Sequence, residues 1–138
     1  MDMAMSMTSG YADVLGISVV NATPDEVSAT WNATPELIGP AGARRGGAHS
    51  GVVETLASIG AALWYGQRGH VVGASNSTDL MKPDSEGPHI AIARPIDRND
   101  REQIWTVEIS NSAGELAARG QVRLANLPER QPATTQKR

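Results

Sequence analysis

The sequence predicts an α+β domain, with one long helix covering one face of an antiparallel sheet of about five or six strands. Three observations carry this. The stretch from Gly46 to Gly66 spaces its apolar residues as a helix does. The runs around it are β-branched or alternating. Short turn signals separate those runs, which favours antiparallel pairing of neighbours.

Taken in order, Ile17–Asn21 and Val27–Asn32 are β-branched runs split by Ala-Thr-Pro-Asp, a turn signal. Pro35–Arg45 is a loop rich in Pro and Gly. In the helix, Val52, Leu56, Ile59 and Leu63 form one apolar stripe that should face the sheet. Val71–Met81 is extended, and Lys82-Pro83-Asp84 ends it. Pro88–Ile96 alternates large with small residues. Gln103–Ile109 places Trp105, Val107 and Ile109 on one face and Thr106 and Glu108 on the other. Asn111-Ser112-Ala113-Gly114 reads as a hairpin loop. Leu116–Leu127 is the last strand, with Arg119, Gln121 and Arg123 opposite Gly120, Val122 and Leu124.

A length of 138 residues fits a single domain, expected over residues 11–127. Met1–Gly10 and Pro128–Arg138 are expected to be flexible termini. The absence of cysteine excludes disulfides, thiolate metal sites and cysteine nucleophiles. His49, His70 and His89 do not recur at a ligand spacing, so no metal is expected. A net charge of −3 argues against nucleic-acid binding, which runs on excess Lys and Arg. The Gly46–Gly66 stretch is too polar for a membrane span, and Asp2 stands where a secretion signal needs basic residues. A cytoplasmic protein is the expectation.

Glu54 is the only formal charge between Gly46 and Gly66. It lies roughly opposite the apolar stripe, together with Gly47, Ser58 and Ala61. A solvent-facing side would carry more charge, so a second subunit is expected to cover this face and to leave Glu54 partly buried. The plain alternative is an ordinary exposed Glu. Gly46-Gly47 opens the helix, where free N–H groups suit a developing oxyanion. Ser58 is one turn beyond Glu54 on the same face.

With these residues in view, the chain resembles the hotdog-fold acyl-CoA thioesterases of the phenylacetate-degradation and 4-hydroxybenzoyl-CoA thioesterase type. The resemblance runs from Val14 to Leu127. It rests on Gly46-Gly47, Val52-Val53-Glu54-Thr55, Ala57-Ser58-Ile59-Gly60-Ala61, Val71-Val72-Gly73, Asn76-Ser77-Thr78-Asp79 and Ala117–Leu124. It implies a sheet wrapped around one central helix, and a homodimer or dimer-of-dimers with active sites at the dimer interface. It implies Gly46 as the oxyanion donor, Glu54 as nucleophile or general base, and Ser58 as a support for hydrolysis. Coenzyme A would be part of the substrate, and no other cofactor is expected.

The family usually reads His-Gly-Gly at the helix start, where this chain has Arg45-Gly46-Gly47. Several relatives carry Gln where this chain has Gly39. For the substrate and its coenzyme A, the candidates are Arg45, Gly47, Asn76, Ser77, Thr78, Arg98 and Arg101. Two alternatives stand beside hydrolysis. One is a hotdog protein that binds acyl-CoA or an aromatic ligand without turnover. The other is a dehydratase, for which His49 is the nearest imidazole to Glu54.

Overall fold

The computed structural model describes residues 15–34, 47–82 and 86–129. Arg45, Gly46, Gly39 and the rest of the Pro35–Arg45 loop lie outside the described residues, as does Met1–Gly10. The elements are β1 (Ile17–Ala22), β2 (Val27–Ala33), helix α1 (Gly47–Tyr65), a 3-10 turn (Gly66–Arg68), β3 (Gly69–Leu80), β4 (Gly87–Arg98), β5 (Glu102–Ser110) and β6 (Leu116–Pro128). Pro128, expected in the loose C-terminal end, is the last residue of β6.

The six strands form one antiparallel sheet in the order β1-β2-β4-β5-β6-β3. Helix α1 packs against all six of them. This is the hotdog fold, a sheet wrapped around one helix. After α1 the chain crosses to the far edge of the sheet, so among the described strands β3 pairs only with β6.

The inner face carries Trp31, Trp105, Val107, Ile109, Val122 and Leu124, all fully buried. On β4 the small residues Ala91 and Ala93 face the helix, while Ile90 turns outward and is 55% exposed. Short side chains there let the helix lie close to the sheet. The alternation expected for β5 and β6 holds. Trp105, Val107, Ile109, Gly120, Val122 and Leu124 are buried, and Arg119, Gln121 and Arg123 are exposed.

One polar network crosses this core. The Gln103 amide nitrogen donates to the Ala61 carbonyl at 3.0 Å and to Asn126 Oδ1 at 2.9 Å. Its oxygen accepts from Trp105 Nε1 at 2.9 Å. Asn126 in turn donates to the Asn99 carbonyl at the β4–β5 turn. Buried amides and indoles persist only with such partners. The network therefore ties α1 to β5 and β6 at a defined height. At the other end of the helix, Arg68 donates to the Tyr65 and Trp64 carbonyls at 2.9 and 2.8 Å. It thus satisfies carbonyls that the last turn leaves open.

Candidate active site

Because the sheet wraps α1, the helix is buried over more of its circumference than one stripe. Val52, Leu56 and Ile59 are buried as expected, but so are Val53, Ala57, Gly60 and Ala61. Leu63 is only partly buried. Ala61 was expected on an open face awaiting a second subunit. It is fully buried within one chain, and its carbonyl is held by Gln103. What remains open is a narrow strip on which Gly47 and Glu54 are exposed and Ser58 is half-buried.

Glu54 is thus the one acidic side chain on the helix, and it sits on the strip the sheet leaves uncovered. It makes no ion pair or hydrogen bond to another described residue. The burial expected for it does not occur within a single chain. Its carboxylate lies against the backbone of Gly73 on β3: a Cβ added at Gly73 would stand 3.1 Å from Oε2 and 3.6 Å from Cδ. Ser58 shares the strip one turn on, with no bond between the two. Thr55 spends its hydroxyl on the Gly51 carbonyl at 2.7 Å. At the head of the strip, a side chain added to Gly47 would meet no described atom within 4 Å.

The remaining candidates divide. Asn76 and Thr78 face the helix: Asn76 Nδ2 donates to the Ser50 carbonyl at 3.0 Å, and the Thr78 hydroxyl donates to Asn76 Oδ1 at 2.7 Å. Both side chains hold β3 to the first turns of α1. Ser77 points to the outer face of the sheet, beside Asp79, Arg119 and Gln121. Within one chain it does not meet Glu54.

Arg98 stacks over Trp64, 4.9 Å from the ring centroid, and donates to the Pro24 carbonyl and to Asp25. Trp64 is ten residues past Glu54, about 15 Å along the helix. Arg98 is therefore spent on the β1–β2 turn and is remote from Glu54 in its own chain. Arg101 is exposed, and its guanidinium pairs with no described residue.

His49 is 2% exposed, edge-on to Trp31 at 5.0 Å between ring centroids and 6.5 Å from the ring of His89. It faces β2 and β4, away from the strip that bears Glu54. Within one chain, the imidazole and the carboxylate lie on different sides of the helix and do not pair. Among the described residues, no three His, Asp or Glu side chains converge as metal ligands. No described helix is long and apolar enough to cross a membrane.

Gly73 belongs to the Val71-Val72-Gly73 motif of the resemblance, but sequence reasoning assigns it no role in the site. A lone Gly inside a strand pattern is the signal that would have found it, since it marks a bulge or a close approach.

No family model matches the chain. The crystal structure of S. sahachiroi AziG superposes with a TM-score of 0.83 at 42% identity, covering 88% of this chain and 98% of that one. A phenylacetic acid degradation-related protein of Ralstonia eutropha JMP134 shares the fold at 16% identity, with a TM-score of 0.79 over 90% of this chain and 99% of that one. The Mycobacterium tuberculosis protein named "Putative esterase Rv1847" is 34% identical over 129 residues, 91% of this chain and 92% of its own length. Its structure superposes with a TM-score of 0.82. On that identity and coverage, joined to a six-stranded sheet around one central helix, the chain belongs to the hotdog-fold esterase family of the Mycobacterium tuberculosis protein.

Proposed function

We propose that the protein is a cytoplasmic acyl-CoA thioesterase, converting an acyl- or aryl-CoA and water to a carboxylate and free coenzyme A. The observation that carries this reading is Glu54: an exposed carboxylate that pairs with no described residue, on the one strip of the helix that the sheet leaves open. Glu54 acts at the thioester carbonyl carbon, as nucleophile or as base on the attacking water. In the base role, the water oxygen bonds to the carbonyl carbon and its proton passes to Glu54. The C–S bond then breaks, and the proton leaves with the thiol. The carbonyl oxygen turns anionic on the way and needs N–H donors, a role we assign to Gly46. Gly47 beside it leaves room for a ligand to approach. Ser58 lies within one turn of the carboxylate and orients it or the water.

Spacing along the helix supports a site shared between two protomers. Gly47, the neighbour of the assigned donor, and Glu54 are seven residues apart, about 10 Å of rise. A single thioester carbonyl needs both groups within about 3 Å of its atoms. The donor of one protomer and the carboxylate of its partner therefore serve one substrate. The free edge of β3 supports the pairing this requires. It is twelve residues long and bonded on one side only, a natural template for a second copy. The product is a homodimer, alone or as half of a dimer of dimers. Of the two arginines considered for the coenzyme A phosphates, Arg101 is the one whose guanidinium pairs with no described residue.

A second reading is a binding protein without turnover. It is favoured by Arg45 and Gly39 standing where the family has His and Gln. Thiol release from acetyl-, octanoyl-, benzoyl- and phenylacetyl-CoA separates the two. Glu54→Gln keeps the shape of the side chain and removes the base. It is expected to lower kcat by about 10²–10⁴ with KM little changed. Turnover within a few-fold of wild type would remove Glu54 from the chemistry. Binding without hydrolysis in both proteins would establish the second reading.

A further inference from the structure

Gly73 sits in β3 beside a fault in the strand register. Gly73 pairs with Leu124, and the next pairing is Ser75 with Arg123, so Ala74 is an extra residue. Such a bulge changes which side chains face each side of the sheet. Ahead of it, Gly73 pairs with a buried residue and faces the helix. Beyond it, Asn76 and Thr78 face the helix, and Ser75 and Ser77 are exposed. Without the extra residue the strand would turn Ser75 inward and Asn76 outward. The bulge therefore brings two contacts onto one face: Asn76 bonded to the Ser50 carbonyl, and the bare Cα of Gly73 against Glu54.

The glycine is not there for its own backbone. Gly73 does not adopt a positive φ, unlike Gly66 and Gly69, so any residue fits its conformation. The only described atoms a side chain would meet there are the carboxylate oxygen and carbon of Glu54. The first of these, at 3.1 Å, is close enough that the carboxylate must give way.

We propose that Gly73, held in place by the bulge at Ala74 and the Asn76–Ser50 bond, is a positioning residue for the Glu54 carboxylate. The inference rests on the reading of Glu54 as the attacking group. The clamp fixes β3 one turn ahead of Glu54, and the missing side chain lets the carboxylate settle flush against the strand. The carboxylate has no hydrogen bond to a described residue, so the contact with Gly73 sets its resting position by shape. Small displacements of an attacking group carry large rate penalties, because the reacting atoms must start near contact.

The test is a double-mutant cycle on thiol release, using whichever acyl-CoA of the panel the wild type turns over fastest. Gly73→Ala is expected to fold, to keep KM within about threefold and to lose about tenfold or more in kcat. Glu54→Asp draws the carboxylate back by one methylene and is costly in the wild-type background. In the Gly73→Ala background it is expected to cost several-fold less, because the shorter side chain clears the added methyl. Additive losses would overturn the positioning role and leave the Glu54 assignment standing. So would a Gly73→Ala protein that matches wild type in kcat. A Gly73→Ala chain that fails to fold would also overturn it, since the glycine would then serve the strand. If Glu54→Gln itself leaves turnover intact, both readings fall together.

Discussion

The indole of Trp105 occupies the space where a side chain at Gly60 would stand. Two ring atoms crowd that point more closely than real Cβ contacts allow, a third stands at 3.0 Å, and Trp105 is fully buried with its Nε1 held by Gln103. The ring has nowhere to go. Gly60→Ala is therefore expected to destabilise the fold by about 1–3 kcal/mol through overpacking. Urea unfolding reads this directly. Turnover per folded molecule should stay at the wild-type level, because Gly60 faces β5 and not the open strip.

Gln103 satisfies three buried partners at once: the Ala61 carbonyl, Asn126 Oδ1 and Trp105 Nε1. Gln103→Leu fills the volume and leaves all three without their partner. Each orphaned buried group costs about 1–3 kcal/mol, so this change should exceed the loss from Gly60→Ala. A urea midpoint equal to that of wild type would mean that water takes over the amide's bonds.

His49 is expected to matter for stability and not for chemistry. Its ring fills the space beside Trp31 and His89 on the side of α1 away from Glu54. His49→Leu should lower the thermal midpoint and leave kcat within a few-fold of wild type. A folded variant with kcat down by about a hundredfold or more would return the imidazole to the reaction.

A shared site predicts complementation between two inactive proteins. Gly46→Pro removes the N–H assigned to the oxyanion, and Glu54→Gln removes the carboxylate. Mixed and allowed to exchange subunits, half of the dimers are mixed, each with one intact site, so the mixture should recover about a quarter of wild-type activity. If both groups of a site come from one chain, a mixed dimer has no intact site and the mixture stays inactive. Light scattering at micromolar concentration should give a dimer or tetramer mass, and a monomer would end the model.

Much of this arrangement was legible in the sequence, because local patterns carry it. Trp105, Val107 and Ile109 alternate with Thr106 and Glu108 as a half-buried strand requires, and Gly120, Val122 and Leu124 do the same on β6. Glu54 and Ser58 were placed on one strip by the helical period alone, and the strip is where they lie. What was not legible depends on partners distant in the chain. The burial of Ala61 follows from Gln103 on β5, and that of His49 from Trp31 on β2. Asn76 and Thr78 read as a polar patch for a ligand, because nothing in their own segment shows the bulge that turns them inward. Arg98 read as a phosphate contact, because Asp25 and Trp64 are far from it in sequence.

The place of β3 at the far edge has a consequence for how the chain comes to be folded. Its one pairing partner among the described strands is β6, the last of the six, whose pairing residues follow about 38 to 59 positions later. During synthesis the helix and β3 emerge well before the strand that completes them. Over that interval β3 has no cis partner, and the inner face of α1 is uncovered on that side. Such a topology favours late, concerted closure over stepwise growth from the N-terminus, with slow folding and exposure to off-pathway strand exchange. Truncation within β6 should therefore produce an aggregating chain and not a smaller domain, however well the earlier elements are preserved.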